Sequence, residues 1–437
     1  MLFDNDLKNR DLYLNRLIAF QDTEPVKVVT GIRRCGKSKL LDLMIKHLLE
    51  NGVTENQIVK MNFESQAFDG FDYKTFYNYV KERCLPNKRM YLFFDELQRV
   101  DGWENAVNSF RVDFDCDIYL TGSNAYLLSS EYSTYLSGRY VEIKILPLSF
   151  SEFIYFHDFS LKDTTDIFGN VRKQVFDKNG TPYNIDDLFQ AFLRFGGMPG
   201  LADVGLTQEK ADILLDSIYN TVLVRDILQR DVKKSEKKIT DLSLLEKISR
   251  FLADNIGNVT SLTSIANTLT STKAVENTKL KPSVHTVQDY ILALKQSYFF
   301  YQAKRFDIKG KDYLKTLEKY YIVDPGLRNY ILGYGKGDRG RLLENIVYFE
   351  LLKRGYQVCI GKIDNYEIDF RATKTDETIY IQVTETLKSE ETRERELRPL
   401  KRINDNYPKI ILSTDKDLTS SYDGILSLNI IDWLLAD

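Results

Sequence analysis

Residues Gly31-Ile32-Arg33-Arg34-Cys35-Gly36-Lys37-Ser38 constrain this chain more than any other stretch. They fit G-x-x-x-x-G-K-[ST], a loop pattern in which each fixed position answers a need of phosphate binding. Gly31 and Gly36 permit backbone conformations that a side chain would block, so the loop N–H groups can converge on an anion. Lys37 brings a positive charge to the β- and γ-phosphates, and Ser38 brings a hydroxyl to Mg²⁺. Val26–Thr30 reads as a short buried strand ahead of the loop. Beyond it Leu40, Leu41, Met44, Ile45, Leu48 and Leu49 fall at helical spacing. Strand, loop and helix in succession would aim the positive end of the helix dipole at the phosphates. The loop residues and Lys39 are therefore the expected contacts of ATP or ADP, with Mg²⁺ as the accompanying ion.

The flanking pattern extends this unit into an α/β fold. Residues 57–63 read as a strand and 71–84 as a helix with Phe76, Tyr79 and Val80 inward. Alternation of this kind implies a parallel sheet. Tyr91-Leu92-Phe93-Phe94 is a buried strand that ends in Asp95-Glu96. Ligands of open α/β sheets bind beyond the carboxyl ends of the strands, which places Asp95 to hold Mg²⁺ through its water shell and Glu96 to polarise an attacking water. A further strand, 117–121, ends in Gly122-Ser123-Asn124, where Asn124 or Ser123 can touch a γ-phosphate. Ser137-Gly138-Arg139 precedes a strand at 141–145, and Arg139 is read either as a phosphate-seeking arginine finger or as a surface cation paired with an acid.

With these motifs in place, the chain resembles the AAA-type ATPases widespread in bacteria and archaea. The resemblance rests on Asp95-Glu96, Thr121-Gly122-Ser123-Asn124, Gly138-Arg139 and Leu146-Pro147-Leu148-Ser149-Phe150-Ser151-Glu152-Phe153. It implies a P-loop nucleoside triphosphate hydrolase sheet over residues 1–155, with Asn124 as its first sensor. It also implies that Arg139 acts in cis or on a neighbouring subunit of an oligomer. The arrangement is similar to signal-transduction ATPases as well. There a Gly-x-Pro opens a helical lid and contacts nucleotide, which implies that Pro199 of Gly197-Met198-Pro199 couples nucleotide state to a lid over 156–239.

The remainder divides by periodicity. Stripes at Leu244/Ile248/Leu252, Leu262/Ile265/Ala266/Leu269 and Val284/Val287/Ile291/Leu294 precede two strands at 298–303 and 319–323. Three helices and a hairpin are the order of a winged helix-turn-helix, here over 240–333. Residues 271–311 carry eight Lys/Arg against three Asp/Glu in a chain whose formal charge is −3, so DNA is one candidate partner. The helix at 283–296 has no Arg, which favours a packing role for the module. Residues 334–437 look like a small α/β domain of the restriction-endonuclease type. That resemblance implies a second metal site at Glu344, Asp369 and Gln382. Thr384 stands where the type has its lysine, which points to a degenerate nuclease. The four cysteines lack C-x-x-C spacing and no apolar run is long enough for a membrane span, so a cytoplasmic chain without a membrane partner is expected. The expected activity is ATP binding and hydrolysis, used as a nucleotide-dependent switch that couples to the C-terminal domains and acts on a protein partner the sequence does not identify; the alternative is an ATP-gated DNA-binding protein or Mg²⁺-dependent nuclease.

Overall fold

A computed structural model describes residues 7–123, 125, 138–165, 171–228, 239–271, 282–314, 317–335, 338–416 and 419–436. The fold is α/β and divides into two compact units. The first comprises Met1–Pro147 together with Gln296–Tyr298, and the second Leu148–Lys295 with Phe299–Asp437.

The first unit is built on β1 (Val26–Thr30), β2 (Ile58–Asn62), β3 (Met90–Asp95), β4 (Cys116–Gly122) and β5 (Tyr140–Lys144). Every pairing among them is parallel, in the order β2-β3-β4-β1-β5. Strands β1 and β3 are buried along their whole length, as in a sheet covered on both faces. Helices α1 (Asp11–Ile18), α2 (Lys37–Glu50), α3 (Tyr73–Lys81) and α4 (Trp103–Asp113) accompany the strands. Phe76 of α3, Phe94 of β3 and Phe110 of α4 pack edge-on and tilted with centroids 4.8–5.8 Å apart, which fixes those two helices on the sheet. The sheet also buries a charge. Lys27 of β1 pairs with Asp117 of β4, which also accepts the Tyr119 hydroxyl and the Asp22 N–H, both at 2.8 Å. Burial lowers the Lys27 pKa, and the partner carboxylate holds the charge in place.

The short stretch Gln296–Tyr298 belongs to this unit although the residues on either side of it in sequence do not. The Tyr298 hydroxyl donates to Glu142 at 3.2 Å, and Glu142 also accepts the hydroxyl of Thr30, the last residue of β1, at 2.5 Å. Tyr298 holds a left-handed backbone, φ +58°, which costs a bulky residue energy that its surroundings must repay.

The second unit begins with α5 (Phe150–Phe156). It continues with β6 (Ser160–Thr165), β7 (Val171–Phe176) and β8 (Pro182–Tyr183) in one antiparallel three-stranded sheet. The span read as a helical lid therefore opens with strands. Their mixed, largely exposed side chains carry little apolar periodicity for a sequence to show. Helices α6 (Ile185–Phe195), α7 (Gly200–Val204) and α8 (Gln208–Asn220) follow. Next come α9 (Leu242–Asp254), α10 (Leu262–Ser271) and α11 (Val284–Gln296), then β9 (Phe300–Ala303), which pairs antiparallel with a later strand β12 (Lys319–Ile322). That is the helix, helix, helix, hairpin order expected. Between the hairpin strands, β10 (Arg305–Asp307) and β11 (Asp312–Tyr313) leave it and join another sheet. After α12 (Pro325–Leu332) and α13 (Arg339–Lys353) come β13 (Gln357–Ile363), β14 (Tyr366–Lys374), β15 (Glu377–Val383), α14 (Glu390–Lys401), β16 (Lys409–Ser413), β17 (Ser421–Tyr422), β18 (Ile425–Asn429) and α15 (Ile430–Leu435). The mixed eight-stranded sheet runs β11-β10-β13-β14-β15-β16-β18-β17. Leu397 and Leu400 of α14 pack on Ile368, Tyr380 and Ile411 of that sheet. Helix α14 is rich in charge, and its buried edge consists of Leu397, Pro399 and Leu400.

Candidate functional site

The phosphate loop joins β1 to α2 as the spacing predicts. Gly31 has φ +149°, and a Cβ there would fall 2.3 Å from the Ile145 carbonyl oxygen, so no other residue fits that position. No side chain caps α2 at Gly36, so the amino end of the helix opens onto the loop. Lys37 is 5% exposed and donates to the carbonyl oxygens of Gly31 and Ile32, both at 3.0 Å. Ser38 and Lys39 are exposed on the first turn of α2, while Ile32 and Cys35 are buried. Burial pushes the Cys35 thiol up, so it stays protonated as a packing residue. Arg33 reaches Glu64 at 2.6 Å and lies 4.0 Å from Glu96, and Arg34 is exposed with a left-handed backbone.

A residue that the motif did not reveal also braces the loop. Arg10 is 4% exposed and donates to the carbonyl oxygens of Cys35 at 3.1 Å, Leu146 at 2.9 Å and Pro147 at 3.4 Å. An Arg just before an amphipathic helix gives no sign in sequence of a partner more than a hundred residues away.

Asp95 and Glu96 stand at the carboxyl end of β3, and β4 lies between that strand and β1. Thr121 at the tip of β4 sets both acids. Its hydroxyl donates to Asp95, and its oxygen accepts the Glu96 N–H at 3.0 Å. Asn62 donates to the other Asp95 oxygen at 3.1 Å. Glu96 accepts Gln98 Nε2 at 2.6 Å and Ser123 Oγ at 3.4 Å. It has φ +54°, a strained conformation that turns the carboxylate off the strand line. The strand-tip motif was expected to act through Asn124 or Ser123. Ser123 does touch Glu96, Thr121 is the residue sequence reasoning missed, and Asn124 lies outside the described residues.

The loop fits a nucleoside triphosphate: a glycine cradle, uncapped helix N–H groups and a buried ammonium at its mouth. Asp95, oriented by two donors, and the exposed Ser38 hydroxyl fit the oxygen chemistry of Mg²⁺.

Arg139 does not fit its cis role. It precedes β5, and its carbonyl accepts the N–H of Val26, the first residue of β1. The parallel register pairs Val26 with Tyr140 and Thr30 with Lys144, so Arg139 lies at the amino end of the sheet. Gly31 lies about 20 Å away along the strand at ~3.3 Å per residue, beyond the reach of an arginine side chain. Arg139 is exposed at that end of the sheet.

Pro199 lies in the second unit and immediately precedes α7. The turn before it is tightly set, since a Cβ on Gly197 would fall 2.2 Å from the Leu148 carbonyl oxygen. Asp324, fully buried at the start of α12, accepts the N–H groups of Gly197 at 2.6 Å and Leu327 at 3.1 Å. Burial raises its pKa from 3.8 to about 6, against the pull of those N–H groups. The folded chain therefore keeps a proton that the unfolded chain has released, and stability falls as pH rises from about 4 to about 6. The displacement corresponds to about 3 kcal/mol. Urea unfolding between pH 4 and 7 should show Asp324→Asn losing about that much less than the wild type. Parallel pH curves would remove Asp324 from this role.

The residues expected to form a second metal site do converge, but on a lysine. Lys319 Nζ of β12 lies 2.9 Å from Glu344 of α13, and 2.7 Å from Glu367 and 3.7 Å from Asp369, both of β14. Gln382 accepts the Asp369 N–H at 3.3 Å and donates to Glu396 at 3.0 Å. Burial lowers the Lys319 pKa, but the three carboxylates outweigh it and hold the proton more tightly than in free lysine. Burial and the Glu344 charge push Asp369 well above the carboxylate range. No group of three His, Cys, Asp or Glu among the described residues is arranged to hold a metal ion, and the set does not fit one.

A family profile described as an AAA domain matches residues 23–154, and one described as a domain of unknown function (DUF8612) matches residues 186–338. The chain is 38% identical over 429 residues to an uncharacterized protein of Haemophilus influenzae, covering 98% of each. It is 29% identical over 418 residues to an uncharacterized protein of Methanocaldococcus jannaschii, covering 93% of this chain and 85% of that one. Among solved structures it is similar to the Walker-type ATPase paby2304 of Pyrococcus abyssi, with a TM-score of 0.49, 14% identity, and coverage of 76% of this chain and 99% of that one. It is also similar to the ORC2 protein of Aeropyrum pernix, with a TM-score of 0.42, 12% identity, and coverage of 80% and 98%. No helix among the described residues is long and apolar enough to cross a membrane.

Proposed function

We propose that this chain, which belongs to the family of AAA-domain P-loop ATPases followed by a domain of unknown function, binds and hydrolyses ATP and uses its nucleotide state as a switch. The observation that carries this is the joint placement of Lys37 at the loop mouth and the Thr121-oriented pair Asp95-Glu96 at the same edge of the sheet. The loop N–H groups and Lys37 would hold the phosphates. Ser38 and Asp95 would hold Mg²⁺, which when bound neutralises phosphate charge. Glu96 would orient the attacking water and accept its proton. Arg139 would act on the nucleotide of a neighbouring copy, which makes the active form an oligomer.

In this reading the second unit is the output, divided into a lid at 156–239, a winged helix at 240–333 and a nuclease-like domain at 334–437. Pro199 would follow nucleotide state, and Asp324 would tie its turn to α12. A protein partner is favoured over DNA as the target. Of the eight cations in 271–311, Lys295 turns inward to Gln302, and Lys309 pairs with Asp364 at 2.6 Å. The full chain incubated with ATP and Mg²⁺ should release phosphate, and Mg-ATP should raise its melting temperature. Absence of both effects would overturn the proposal.

A further inference from the structure

Taking an ammonium out of water costs several kcal/mol unless anions surround it. Lys319 is 2% exposed, and its surroundings come from elements far apart in sequence. Glu344 comes from α13, and Glu367 and Asp369 from β14. Carboxylates held this close repel one another when ionised, and a cation among them relieves that repulsion. A divalent ion would draw the oxygens to about 2.0–2.6 Å from one point. The ammonium instead takes hydrogen-bond distances to Glu344 and Glu367, with Asp369 just beyond.

Hydrogen bonds within the domain engage two of these carboxylates further. Glu344 Oε1 also accepts the Tyr321 hydroxyl at 2.6 Å, and Asp369 Oδ2 accepts the Val383 N–H at 2.9 Å. Gln382, the neutral donor of the expected set, is spent on the Asp369 backbone and Glu396. The second Glu344 oxygen lies against Gly257, where a Cβ would come within 2.8 Å of it.

We propose that Lys319 is a tethered cation standing where a nuclease-like site would hold its metal. The cluster is then a metal-free joint that fastens the β9–β12 hairpin to α13 and β14. The domain's output under this inference is mechanical, and no divalent ion is recruited there.

The test is Mn²⁺ titration of the full-length, nucleotide-free protein, read by electron paramagnetic resonance. Four forms are compared: wild type, Asp369→Asn, Lys319→Met and the double variant Lys319→Met/Asp369→Asn. Wild type and Asp369→Asn should bind the same number of Mn²⁺ ions. Lys319→Met should gain one Mn²⁺ per chain, and the double variant should lose it again. If the wild type binds one Mn²⁺ more than Asp369→Asn, the proposal is overturned, because the site is then metallated with its lysine present. A folded Lys319→Met that gains no ion overturns it as well. Should Lys319→Met fail to fold, the comparison of wild type with Asp369→Asn decides alone.

Discussion

Replacing Lys37 with alanine should weaken ATP binding roughly 100-fold. Hydrogen bonds to charged groups contribute about 1.5–3 kcal/mol each, and a loss of about 3 kcal/mol is a factor of roughly 100 in the dissociation constant. The ammonium is already at the loop mouth without a nucleotide, bonded to the Gly31 and Ile32 carbonyl oxygens. It therefore binds phosphate with little rearrangement, and its removal takes away both the charge and a brace of the empty loop. Titration calorimetry gives the affinity. A thermal melt separates the two effects: Lys37→Ala should lose most of the ATP-induced rise in melting temperature and only a little of its ligand-free stability. An affinity within threefold of the wild type would mean that nucleotide is held elsewhere.

Glu96→Gln should cut the hydrolysis rate by roughly 10²–10⁴ while leaving ATP affinity close to that of the wild type. Glutamine keeps the length and shape of the side chain and can still accept from Gln98 and Ser123, which bond to Glu96 at 2.6 and 3.4 Å. What it cannot do is take the proton of the attacking water. Single-turnover phosphate release beside equilibrium ATP binding distinguishes loss of the base from collapse of the site. Release at the wild-type rate would exclude Glu96 as the base, and a parallel loss of binding would make it a structural residue of the loop. The Thr121 bond to the Glu96 N–H should survive, because it involves only backbone on the glutamate side.

The parts of the fold that sequence made legible are those whose signal is local. A glycine-lysine-serine loop, an unbroken apolar strand and its terminal acids each carry their meaning within a few residues, and β1, α2 and β3 lie where the pattern puts them. The cis reading of Arg139 overlooked a signal that was present. A residue just before a parallel strand lies at the amino edge of the sheet, so its distance from the loop followed from order alone. Lys319 was not legible, because β12 reads as an ordinary tyrosine-rich strand and its lysine gains meaning only beside acids contributed by α13 and β14. Lys27 was hidden in the same way: in sequence it interrupts an apolar strand, and only Asp117 of β4 explains it. Thr121 was read as part of a motif, yet its two hydrogen bonds depend on which strand lies beside β3.

The placement of Tyr298 bears on how the chain matures. The amino-terminal unit is complete only when Gln296–Tyr298 has joined Met1–Pro147. During synthesis, residues 148–295 emerge between those two stretches. All five strands of the parallel sheet lie within residues 26–144 and are made before that stretch. The hydroxyl that Glu142 accepts from Tyr298 is therefore a late addition, supplied by a residue 156 positions further along the chain. That bond, to the acid that also holds the Thr30 hydroxyl, is a piece of the amino-terminal unit that translation delivers after the sheet itself.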